Sequence, residues 1–159
     1  MSLEEALANL NSLIGMKTLK DEISKVVELV KYNEDILKEK PDLKLFPFHY
    51  IFTIDKANGL TTVLKLISII FYHLKIIKAY EFKEYSLEDI YSLAEYGDNG
   101  EIGLAAIHGM EKFETADHEL IEKLWSQLSD SYGKLIYVLI IPASQKGKAH
   151  DLINKLKYK

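Results

Sequence analysis

The sequence predicts an α/β fold with a mostly parallel sheet covered on both faces, and three observations lead to it. Short β-rich runs, PFHYIFTI, YEFKEY, IGLAAI and LIYVLII, alternate with longer stretches of helical periodicity. Two of those runs, IGLAAI and LIYVLII, are apolar without alternation, as strands buried on both faces are. Turn and capping residues fall between the runs.

Each element has its own signal. Ser2 and Glu5 form a capping-box pair over EEALANL, which predicts a short first helix ending near Gly15. From Met16 to about Lys40, Leu19, Ile23, Val26, Val27, Val30 and Leu37 recur at helical spacing, and Pro41 ends the run. Pro47 to Ile54 is short, aromatic and β-branched, and reads as a strand. Leu60 to Lys78 is densely apolar and reads as a buried helix, so a βα unit is expected there. YEFKEY is the next strand, and Ser86 with Asp89 offers a helix start over LEDIYSLAEY, closed by GDNG. IGLAAI is an interior strand. Ala116 to Leu128 is an amphipathic helix, SDSYGK a loop, LIYVLII a strand and Lys148 to Lys157 a final helix. No repeat or linker-like tract divides the 159 residues, so one domain is expected.

Composition narrows the chemistry. A formal charge of -4 disfavours general attraction to nucleic acid or anionic membranes. Cysteine is absent, which excludes disulfides and thiolate chemistry and points to a reducing compartment, with the cytoplasm as the expected address. No apolar run reaches the length of about 18 residues that a membrane span needs. All 20 basic residues are lysine, so bidentate guanidinium chemistry is missing.

FTIDKANGLTTV, Phe52 to Val63, is the stretch that bears most directly on function. It joins a predicted strand to a predicted helix, the context in which the pattern G-x-x-x-x-G-K-[ST] cradles phosphates. Ile54 takes the first glycine position and Leu60 the lysine position, while Gly59, Thr61 and Thr62 match or follow the pattern. A β-branched Ile54 would crowd a phosphate, and Asn58-Gly59 also makes an ordinary tight turn. Lys56, inside the loop, is either solvated or able to swing toward an anion.

Together with LNSLIGMKTLKDEI before it and EFKEYSLEDI after it, this stretch resembles the AAA+ ATPases of the stage V sporulation protein K and red-type Rubisco activase family, whose loop reads FTGNPGTGKTTV. The resemblance spans about residues 10 to 155. It implies a three-layer P-loop core lacking the helical lid, which in the family would lie beyond Lys159 together with the arginine finger. It also implies that Leu13, Ile14 and Gly15 border an adenine pocket. The family's Asp-Glu pair for magnesium and water is replaced in LAAIHGM by His108 and Gly109, and the polar sensor after the last strand is left to Ser144. The segment between EFKEYSLEDI and the third strand is too short for the family's pore loop and helix together.

The resulting expectation is a degenerate AAA+ domain without ATP hydrolysis, acting as an assembly or regulatory module. Gly59, Thr61, Thr62, Lys56, Ile14 and Gly15 would form its vestigial nucleotide site. No resident cofactor is expected, with ATP and magnesium as the alternative, and the partners would be other AAA+ domains or further copies. A competing expectation is an ATP-binding domain completed by groups from partner subunits. A third is a separate ligand site near His108, the one histidine at a strand's carboxyl end. The five histidines show no metal-ligand spacing, and Asp117-His118-Glu119 reads as a solvated helix face. The basic tail KGKAHDLINKLKYK reads as a solvated helix end, and the tyrosines show no aromatic-basic stripe.

Overall fold

A computed structural model describes residues 1–39, 49–54, 59–90, 103–130 and 135–157. Among them are four strands and six α-helices: α1 Leu3–Ser12, α2 Lys17–Tyr32, α3 Glu34–Glu39, β1 Tyr50–Thr53, α4 Leu60–His73, β2 Phe82–Ser86, β3 Leu104–His108, α5 His118–Asp130, β4 Ile136–Ile141 and α6 Gly147–Lys157. The strands form one all-parallel sheet in the order β1-β4-β3-β2. A parallel neighbour cannot be reached by a hairpin, and α4 makes the longest crossing, from β1 at one side of this sheet to β2 at the other.

Strand alternation divides the core in two. Leu104 and Ala106 of β3 and Ile136, Val138 and Ile140 of β4 face a layer made by α1, α2 and α4. Ala105 and Ile107, with Tyr137, Leu139 and Ile141, face α5 and α6 through Leu124, Trp125 and Leu152. Covering both faces explains why β3 and β4 are apolar without alternation. The layers are helix, sheet and helix.

The capping box at Ser2 forms as the sequence predicts: Ser2 Oγ accepts from Glu5 N–H at 3.1 Å and Glu5 Oε2 accepts from Ser2 N–H at 2.8 Å. That bond to the backbone of Ser2 holds the Glu5 carboxyl below its usual range. Lys20 Nζ donates to the carbonyls of Asn11 and Leu13, which places a cation on the free end of α1.

Two expected helices are shorter than their periodicity suggests. The run from Met16 to Lys40 breaks at Asn33, whose backbone N–H and side-chain amide both bond Leu29 O, giving α2 and α3 in place of one helix. The helix from Leu60 stops at His73 and not Lys78, because Ile76 N–H bonds Phe71 O and Lys75 N–H bonds Tyr72 O, a Schellman closure. The residue after the cap, Lys75, is left-handed with φ 62°. Ser86 Oγ donates to Asp89 Oδ2 at 2.7 Å over a 3-10 turn, Leu87–Asp89. The helix expected over LEDIYSLAEY otherwise lies outside the described residues, as do Pro41, Pro47 and GDNG.

Candidate functional site

The ends of β1 and β4 mark where a site would open. These neighbours are parallel, yet α4 follows β1 onto one face of the sheet and α6 follows β4 onto the other. Such a divergence opens a crevice at the carboxyl ends of the strands.

Ile54 and Gly59 stand at this crevice, and Asp55 to Asn58, with Lys56 among them, fall outside the described residues. Ile54 N–H bonds Ile141 O at 3.0 Å, continuing the β1–β4 ladder, and its side chain packs against the core layer under α4. Gly59 precedes α4 with φ 79° and ψ 21°, a left-handed conformation that favours glycine. Leu60, at the lysine position, is 0% exposed and belongs to the core between α4 and the sheet. Thr61 and Thr62 are exposed on the first turn of α4.

Thr61 is joined to two other side chains. Its hydroxyl donates to Glu84 Oε2 at 3.3 Å, and Glu84 Oε1 lies 2.8 Å from His108 Nε2. Register explains the meeting. Glu84 pairs with Ala106 and Ser86 with His108, so Glu84 and His108 are diagonal neighbours on the face toward α4. An ionised carboxylate only accepts hydrogen bonds, so His108 Nε2–H is the donor and each oxygen of Glu84 holds one partner. Glu84 and His108 are each about a quarter exposed.

Thr61 and His108, which the sequence singled out separately, are therefore brought together, and Glu84 joins them. The strand pattern carried a signal for Glu84: in YEFKEY the residue shares a face with Phe82, which packs into the core, so a glutamate there points inward and needs partners.

The other candidates take no part in these hydrogen bonds. Ile14 is 98% exposed on the α1–α2 turn, where Gly15 and Met16 are both left-handed, with φ 78° and 59°. Leu13 packs on the core. Gly109, φ 84°, begins a 3-10 turn after β3, and Ser144 is exposed in another after β4. His118 is exposed, with Glu122 Oε1 at 3.8 Å. Among the described residues no three histidine or acidic side chains gather to hold a metal ion, and no helix is long and apolar enough to cross a membrane.

The fit to a nucleoside triphosphate with magnesium is poor on these observations. The lysine position is filled by a core leucine, the first glycine position by a packed isoleucine, and the threonine hydroxyl is spent on a carboxylate. No protein-family model matches the chain, and a comparison with curated proteins gives no significant match.

Proposed function

We propose that this chain is a degenerate AAA+-like P-loop domain that has given up ATP hydrolysis and serves as an assembly or regulatory module. The observation that carries the reading is Leu60, wholly buried where the phosphate-binding lysine would stand. The Thr61–Glu84–His108 chain supports it independently. In a working site the hydroxyl and a carboxylate would share a magnesium ion, whereas here they bond each other directly and the histidine takes the remaining oxygen. Phosphoryl transfer is catalysed by placed charge, and the position from which the pattern's lysine would reach a phosphate holds the buried Leu60.

The fold supports the same reading in outline. A strand, a turn with a left-handed glycine and a long helix stand at the place where the following helices diverge. His73 Nε2 bonds Met1 O at 2.9 Å, tying the start of α1 to the last turn of α4, so α1 packs back along α4 and leads the LIG segment toward the turn.

For assembly, the pertinent surface is the second half of α2. An open groove there is lined by Lys25, Glu28, Leu29, Lys31 and Tyr32; Tyr32 is 88% exposed, and Ile36 in α3 is exposed as well. Apolar side chains rimmed by mixed charges suit a contact between like domains.

Calorimetric titration with ATP and ADP in magnesium, beside a phosphate-release assay, tests the reading. Silence in both is the expected result. A magnesium-dependent rate abolished by Thr61→Ala would overturn it, and micromolar binding without turnover would favour a domain completed by partner subunits. Sedimentation of the wild type and Tyr32→Ala tests assembly separately.

A further inference from the structure

We propose that the carboxyl end of α4 and the turn after it form a binding surface for single-stranded nucleic acid. This surface lies at the opposite end of α4 from Thr61. Tyr72 follows Thr61 by about 16 Å along the axis at 1.5 Å per residue, so the two sites are separate.

Three rings meet there. Tyr72 lies edge-to-face against His73, with centroids 5.7 Å apart, and against Tyr80, at 5.5 Å. Both tyrosines are open to solvent, Tyr72 at 41% and Tyr80 at 56%. Nothing in the spacing of residues 72 and 80 announces the cluster. The Schellman closure makes it, turning the chain sharply enough that Tyr80, just ahead of β2, returns beside the last turn of the helix.

Cations frame the rings. Lys75 and Lys78 are exposed within the turn, and Lys65 is exposed two helical turns before Tyr72 on the same face. None of the three has an ion pair among the described residues. Among the described residues the acids in the vicinity are Glu81, which follows Tyr80, and Glu4 and Glu5 in the first turn of α1, which starts against His73, Glu5 being held by its capping bonds to Ser2.

Lys75 supplies a second, independent indication. It occupies the left-handed position of the Schellman motif, where glycine is normally found and other residues are strained. Such a residue is held by the structure around it, here the Schellman hydrogen bonds, and positions of this kind gather at functional sites. Here the left-handed turn holds Lys75 exposed, two residues past His73, with no ion pair among the described residues.

Exposed tyrosine faces with free lysines fit a flexible polyanion that carries its own flat rings. Bases stack on the tyrosines and phosphates meet the ammonium groups. A duplex hides its base faces, and an acidic peptide has flat rings only at scattered aromatic residues, whereas a single strand pairs a ring with every phosphate and so uses both halves of the surface.

The test is fluorescence anisotropy with a labelled mixed-sequence single strand of about 12 nucleotides, long enough for one such surface. Saturable binding is expected, with log K falling against log salt at a slope of about -1.4 to -2.1 for two to three lysines. Tyr72→Ala and Tyr80→Ala should each weaken binding about fivefold or more. Lys75→Gly should weaken it while raising the melting temperature, a combination that a purely structural lysine would not give. Lys112→Ala, remote from the turn, should leave affinity unchanged. Circular dichroism checks that each variant is folded. The proposal is overturned by absence of binding at about 50 mM salt, by equal competition from duplex or polyglutamate, or by tyrosine variants that bind as the wild type does.

Discussion

Glu84 Oε1 and His108 Nε2 stand 2.8 Å apart on adjacent parallel strands, and Thr61 closes the chain on the carboxylate's other oxygen. At about a quarter exposed, the two side chains form a hydrogen bond that solvent only partly screens. Removing the carboxylate leaves two donors at a partly covered strand end. Glu84→Ala should therefore cost about 1 to 2 kcal/mol. In a double-mutant cycle with His108→Ala, measured by urea unfolding, the coupling should be about 1 kcal/mol. Additive effects would show that the contact contributes nothing.

Leu60 allows a sharper test of how far the site has changed. Restoring the pattern's lysine by Leu60→Lys would put an ammonium into a fully buried position between α4 and the sheet. The charge has no partner there, so the expected cost is about 3 kcal/mol or more, comparable to the about 2 to 5 kcal/mol of a large-to-small core change. Phosphate release should remain at background in both proteins. A stable Leu60→Lys variant with magnesium-dependent turnover would mean that the surrounding structure still accommodates phosphate.

How much of this was legible beforehand depends on which forces set each feature. The sheet and both helix layers follow from apolar periodicity, because burial on two faces leaves a pattern in the sequence. Thr61 is marked by its place in the phosphate-loop pattern and His108 by its place at a strand's carboxyl end. Glu84 carries only the weaker signal of a charge on the core face of its strand, because its partner is a diagonal neighbour on another strand, and strand order is a tertiary property. The break at Asn33 and the early stop of α4 leave no mark in the periodicity for a related reason. Local hydrogen bonds to Leu29 O, Phe71 O and Tyr72 O override a periodicity that continues beyond them.

His49 makes the fold sensitive to mild acid. Tyr137 N–H can only donate, so at 3.0 Å it fixes His49 Nδ1 as an acceptor, and Nε2–H then donates to Leu128 O at 2.8 Å. The ring is neutral in that arrangement, and burial pushes its pKa below the usual value for histidine. The unfolded chain takes up the proton first, near the ordinary pKa of about 6.5, so it binds more protons than the native state just below that pH. Stability from His49 is thus complete above about pH 6.5 and falls as pH drops toward the lowered native value, by at most about 1.4 kcal/mol per pH unit. Urea midpoints of the wild type and His49→Asn between pH 8 and pH 5.5, a window of about one unit either side of the ordinary pKa, isolate this contribution. The difference between the two proteins should shrink on acidification, and a constant difference would remove His49 as its source.

Gly103 is the narrowest point where the sheet meets the turn after α4. Its N–H donates to Glu81 O at 2.9 Å, and its carbonyl accepts from Ile136 N–H at 3.0 Å, so it joins the approaches to β2, β3 and β4. A Cβ at this position would lie 2.1 Å from Ala79 O and 2.8 Å from Ile77 Cδ1. The isoleucine methyl can rotate away, but the carbonyl belongs to the backbone and cannot move without displacing the chain between α4 and β2. Gly103→Ala should therefore destabilise the fold by about 2 to 3 kcal/mol, in the range of an overpacked core. Because Tyr80 adjoins Ala79, the displacement should also disturb the Tyr72–Tyr80 contact. Urea unfolding and tyrosine fluorescence report the two effects separately. A variant as stable as the wild type would mean that the turn yields freely, and a ring cluster held by so soft a turn would not be preformed for a ligand.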